Sequence, residues 1–196
     1  TSLLAASALF AQTKVFGFQA DTVRVGLIGT NGMGWSNLNA ILKVSGVQCT
    51  ALCDVDENVL GNRAEELKKR NINVKTYIDY KDLLKANDVD VVIVATPDHW
   101  HCMQMVDAVA AGKDVYVEKP IGNSIRECEI MVAAAKKHKR VVQVGQWQRS
   151  QQHFRDAMDF VHSGKLGKIR LVKAWAYQGW ICLLYTSPSP RDGLLS

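Results

Sequence analysis

The stretch Val23-Arg24-Val25-Gly26-Leu27-Ile28-Gly29-Thr30-Asn31-Gly32-Met33-Gly34 decides the fold. An apolar run that breaks into glycines and then into a helical pattern reads as strand, tight turn and helix start. The N–H groups in the first turn of a helix have no partner within it, and the aligned peptide dipoles leave that end electropositive. A diphosphate can settle there wherever no side chain intrudes, and glycine removes the intrusion.

A dinucleotide-binding turn asks for glycine at its first, third and sixth positions, which here are Gly29, Asn31 and Gly34. Asn31 is a mild departure, since asparagine tolerates left-handed backbone angles, and Gly32 beside it gives the loop room to adjust. Glycine-rich turns also occur where no nucleotide binds, so the loop alone is a weak signal. The next apolar run, Val47-Gln48-Cys49-Thr50-Ala51-Leu52-Cys53-Asp54, ends in an acid twenty residues after Gly34. That spacing places a carboxylate beside the glycine turn, where it can accept hydrogen bonds from ribose hydroxyls. No Arg or Lys follows in Val55, Asp56 or Glu57 to offset Asp54 against a ribose phosphate, so NAD is favoured over NADP. The alternative is that Asp54 or Asp56 simply caps the helix that follows.

Composition sets the bounds. The chain has 196 residues, 47% hydrophobic and 22% charged, enough apolar material for one sizeable core. Its net charge of +5 comes partly from Lys68-Lys69-Arg70 and Lys136-Lys137-His138-Lys139-Arg140, where predicted helices end and cations are favourable. The lack of interleaved aromatics and of a helix-turn-helix or zinc spacing argues against a nucleic-acid partner despite that charge. The five cysteines, Cys49, Cys53, Cys102, Cys128 and Cys182, show no C-x-x-C spacing and read as small buried hydrophobes, not as disulfides or a zinc site.

Around the central stretch the pattern alternates strand and helix. Strands are expected at residues 23–28, 47–53, 74–77, 89–95, 114–117 and 141–144, and helices at 34–43, 56–70, 101–111 and 124–138. That is an α/β protein with a doubly wound parallel sheet, a Rossmann domain over residues 21–146. Residues 154–162 read as a bridging helix, and the β-rich run 169–177 as the first strand of a truncated α+β domain within residues 147–180. Residues 3–11 resemble the apolar core of an export signal, too short to span a bilayer, so residues 1–20 read as a leader and the protein as periplasmic or secreted. A packed N-terminal extension, with a cytoplasmic protein, is the alternative. From about Ile181 periodicity stops, and residues 181–196 resemble translated sequencing adaptor more than native protein.

In an open parallel sheet ligands bind beyond the carboxyl ends of the strands, so the residues after each strand carry the most information. The fourth strand leads into Thr96-Pro97-Asp98-His99-Trp100-His101 and the fifth into Glu118-Lys119-Pro120. With the glycine turn, these resemble the Gfo/Idh/MocA family, whose pattern runs G-x-G-x-x-G, T-P-[ND]-x-x-H and E-K-P over about residues 23–180. The resemblance implies an NAD-dependent oxidoreductase acting on a small molecule such as a sugar or polyol, and a homo-oligomeric full-length protein. It implies Lys119 as the catalytic lysine beside nicotinamide and substrate hydroxyl, with a cis Lys119-Pro120 peptide. Thr96, Pro97 and His101 would flank the ribose and nicotinamide, Trp100 would pack against the cofactor, and Glu118 would place the lysine. Gln146 and Arg149 correspond loosely to a further cofactor-side stretch.

Two other activities stay open: some relatives cleave glycosides through transient oxidation with tightly held NAD, and a dinucleotide-binding module can lack catalysis. Asp98, His99 and His101 also suggest a metal cluster, but no fourth ligand is placed and the family uses none. The family's acid/base histidine belongs to a second domain that nothing here matches; His153 and His162 precede it and read as exposed.

Overall fold

In a computed structural model of the chain, residues 22–174 are described. The six strands are β1 (Val23–Ile28), β2 (Val47–Cys53), β3 (Lys75–Tyr77), β4 (Val91–Val94), β5 (Asp114–Glu118) and β6 (Val142–Gly145). They form one all-parallel sheet in the order β3-β2-β1-β4-β5-β6. The order reverses between β1 and β4, and the crevice of such a sheet opens beyond their carboxyl ends.

Helices α1 (Gly32–Ile41) and α2 (Glu57–Lys69) cover one face; α3 (Tyr80–Leu84), α4 (His101–Ala110) and α5 (Ile125–His138) cover the other. On the first face Leu38, Leu60 and Leu67 pack on Val25, Leu27, Leu52 and Ile93. On the second, Leu83, Met105, Val109 and Met131 pack on Ile28, Val92, Val94 and Val117. Both faces of the central strands are covered, which is why Val91-Val92-Ile93-Val94 is continuously apolar instead of alternating.

Helix ends follow the charges read from the sequence. Asp56 caps α2 by accepting from the N–H groups of Asn58 (2.9 Å) and Val59 (3.1 Å), and Lys68 and Lys69 lie in its last turn. Ser124 caps α5, which ends on Lys136, Lys137 and His138. Cys49 and Cys53 are buried, Cys102 and Cys128 are half-buried, and all four are free thiols.

One compact unit ends at Trp147 and a second begins at Gln148. The second contains α6 (Gln152–His162), two residues longer at its start than expected, with Phe154, Met158 and Val161 at helical spacing. Of the strand expected over 169–177, residues 169–174 have no regular structure and 175–177 lie outside the described residues. β-rich composition supplies propensity only, and among the described residues no strand pairs with this segment. The expected leader, the tail over 181–196, Cys182 and residues 175–180 lie outside the described residues.

Candidate functional site

The glycine turn sits where β1 meets β4. Gly29 has φ +87°, and a Cβ there would lie 2.6 Å from the carbonyl oxygen of Ala95, just after β4. A Cβ on Gly34 would collide with the carbonyl oxygen of Gly29. The two glycines therefore let α1 and β4 close on the turn with bare main chain. Asn31 departs from expectation. It is the N-cap of α1 with extended angles (φ −104°, ψ 174°), and its side chain makes no capping bond. Gly32, at φ +45° with open space where a Cβ would stand, carries the left-handed conformation instead. The first helical residue is accordingly Gly32, not Gly34.

Asp54 closes the turn from the side. Its Oδ2 accepts from the Thr30 N–H (2.7 Å) and the Thr30 hydroxyl (2.9 Å), and its Oδ1 from the Asp56 N–H (3.1 Å). Asp56 is the helix cap, so the capping alternative applies to that residue and not to Asp54. A carboxylate offers about four acceptor sites, and these three bonds leave room on Oδ1 for one hydroxyl donor. Beyond the turn opens a cleft of about 820 Å³ lined by Gly29, Asn31, Asp54, Thr96, Pro97 and Trp100, with Val55, Ile78, Tyr80 and Met103 adding apolar surface. Cys53 also lines it, its thiol pushed up to about 12 by burial and then by the charges of Asp54, Asp79 and Asp82.

The two loops beside the cleft are tied together from behind. His101 is 1% exposed, with Nδ1 2.7 Å from the Pro120 carbonyl oxygen and Nε2 2.7 Å from that of Thr96. His101, expected to flank the ribose and nicotinamide, has its ring buried between these two carbonyl oxygens, and the cleft lining named above does not include it. Its place is a clamp between the T-P-D-H and E-K-P loops. Thr96 is fixed further by its hydroxyl, which donates to Gln104 Oε1 at 2.7 Å.

Glu118 is 4% exposed at the end of β5. Its Oε1 accepts from the Asn37 side-chain amide (2.8 Å) and its Oε2 from the Lys119 N–H (3.1 Å). Gly145 passes so close that a Cβ there would lie 2.6 Å from Glu118 Oε1. Tyr116 is raised above its ordinary value by burial and by the Glu118 charge. The Lys119-Pro120 peptide is cis, and the Lys119 and Pro120 side chains are exposed beyond the strand end.

Sequence reasoning missed Thr30, Asn37 and Gln104. Thr30 was legible as the one hydroxyl within the glycine turn; Asn37 and Gln104 carried no motif. Among the described residues no group of three or more His, Cys, Asp or Glu side chains is placed to hold a metal ion. Among them, too, no helix is long and apolar enough to cross a membrane.

A bare glycine elbow, an acid gripping it and a cleft at the switch point of a 3-2-1-4-5-6 sheet define a dinucleotide-binding Rossmann protein. Residues 23–146 match the model of the Gfo/Idh/MocA oxidoreductase family, NAD-binding Rossmann fold, and the chain belongs to that family. Inositol 2-dehydrogenase of Salmonella typhimurium is 31% identical over 169 residues, covering 85% of this chain and 49% of that protein. A glycosyl hydrolase family 109 protein of Shewanella baltica is 32% identical over 122 residues, covering 60% and 27%. Among solved structures, scyllo-inositol dehydrogenase from Lactobacillus casei with bound cofactor NAD(H) and scyllo-inositol superposes with a TM-score of 0.67 at 28% identity, over 74% of this chain and 42% of that one. The chain thus spans about half or less of the length of these relatives.

Proposed function

We propose that this chain is the NAD(H)-binding part of an enzyme that moves a hydride between the cofactor and a carbon of a sugar, polyol or similar hydroxyl compound. The observation that carries the reading is the Asp54–Thr30 contact beside an elbow where two glycines leave no room for a Cβ. Main chain at Gly29, Asn31, Gly32 and Gly34 would hold the diphosphate, Asp54 a ribose hydroxyl, and Thr96, Pro97 and Trp100 the wall of the cleft. NAD supplies the hydride acceptor when bound. Lys119 would hold the substrate oxygen and take its proton, with Glu118 fixing the lysine main chain and His101 the loop beyond it. The family membership and the inositol 2-dehydrogenase relative support this assignment.

The test is oxidation of inositols and hexoses by the whole enzyme that carries this chain, with and without Lys119→Ala. NADH formation that falls about a hundredfold or more on removing the lysine supports the role; undiminished turnover refutes it. A second reading rests on the family 109 relative: a glycosidase that oxidises transiently and re-reduces its substrate with NAD held throughout. Release of sugar from an aryl glycoside without added cofactor, and with no net NADH, selects that reading. The apolar run at residues 3–11 supports export of a longer protein of which this chain is part, and the family resemblance a homo-oligomer.

A further inference from the structure

Arg63, on α2, belongs to no dinucleotide fingerprint, yet its guanidinium is held beside the elbow. It lies 4.6 Å from the centroid of the Trp35 ring, Nη1 pairs with Glu66 at 2.9 Å, and Nη2 donates to Asn31 Oδ1 at 3.4 Å. Asn31 occupies the position where the fingerprint has its middle glycine, and it lines the cleft. An asparagine at a helix N-cap ordinarily turns its oxygen onto the N–H of the second or third helical residue. Here those are Met33 and Gly34, in the same turn that a diphosphate needs. The Asn31 side chain makes no such bond.

We propose that Arg63 is a positioning residue for the cofactor: it holds the Asn31 oxygen away from the start of α1, so that asparagine in place of glycine leaves the cradle open. The proposal rests on the NAD reading above. Without Arg63, Asn31 would cap its own helix and compete with the diphosphate for the same donors.

The test is a double-mutant cycle read by NADH titration of the full 196-residue chain. Arg63→Met keeps an unbranched apolar stem on Trp35, and Arg63→Gln is measured beside it in case the first variant folds poorly. Either should weaken NADH binding about fivefold, the worth of one capping bond. In an Asn31→Gly background the same replacements should change affinity less than about twofold. Equal losses in both backgrounds, or no loss in either, overturn the proposal, the first because Arg63 would then act through its charge or packing. Failure of every variant and of the parent to bind NADH, with near-UV circular dichroism showing a folded chain, removes the cofactor reading and this proposal with it.

Discussion

The side-chain amide of Asn37 donates a 2.8 Å hydrogen bond to Oε1 of Glu118, 81 positions further along the chain. Asn37 is on α1, the helix that starts at the glycine elbow, and Glu118 immediately precedes Lys119. One contact therefore registers the elbow against the strand end that carries Lys119. Because Glu118 is 4% exposed, solvent does not replace a lost partner.

Replacing Asn37 with Leu should cost about 1–3 kcal/mol of stability, since it takes a donor away from a buried carboxylate. Urea denaturation reads this directly. NADH affinity should fall with it, whereas a contact that serves stability alone would leave affinity in the remaining folded protein unchanged.

The glycines separate by what surrounds them. Gly34→Ala drives a methyl into the Gly29 carbonyl, a backbone atom that cannot swing aside, and should destabilise the fold by about 1–3 kcal/mol or more. Gly61, inside α2 with open space around it, should instead stabilise by about 0.5–1 kcal/mol when replaced by Ala. Thermal unfolding of the two variants beside the parent checks both signs.

His101→Leu should remove about 1–3 kcal/mol, since a neutral imidazole donates its single N–H to one of the two carbonyls it sits between, those of Thr96 and Pro120, and that carbonyl loses its partner. Amide hydrogen exchange should rise in the segments around residues 96–101 and 118–122 together. Exchange that rises in only one of them would show that the histidine does not join the loops.

Acid sensitivity has a defined source at the far end of the sheet. Arg24 donates to Asp90 through Nε (2.9 Å), Nη2 (2.6 Å) and its backbone N–H (2.9 Å), and these bonds hold the carboxyl below its ordinary value. Asp88 is likewise lowered, by Lys75. A carboxyl lowered in the folded state adds stability that is present above its unfolded pKa, near 3.9, and that disappears as pH falls through the folded value. Urea midpoints should therefore drop as pH falls below about 4, and Asp90→Asn should make that drop shallower. An equal slope in the variant would assign the acid sensitivity elsewhere.

Much of this was legible in the residues themselves. The strands at Val23–Ile28 and Val47–Cys53 stand where the apolar runs placed them, because both end in the punctuation a parallel unit requires: glycine after one, acid after the other. Asp54 was found by spacing, though its grip on Thr30 was not. What stayed hidden depends on side chains meeting across the fold. No local pattern marks Asn37, and nothing in T-P-D-H-W-H separates a histidine facing a ligand from one buried behind the loop. Asn31 misled because tolerance of left-handed angles is a property of the residue type, whereas the neighbouring Gly32 took that conformation at lower cost.

The central claim is that the elbow after β1 holds a nucleotide diphosphate with Asp54 beside it. Nitrogen–proton correlation spectra of the chain, recorded during titration with NADH, test this residue by residue. Saturable shifts should be largest at the amides of Gly29 to Trp35, at Asp54 and at Thr96 to Trp100, and NADPH should bind more weakly. Saturable shifts that spare Gly29 to Trp35, or a folded chain whose spectrum does not change at millimolar NADH, would contradict it.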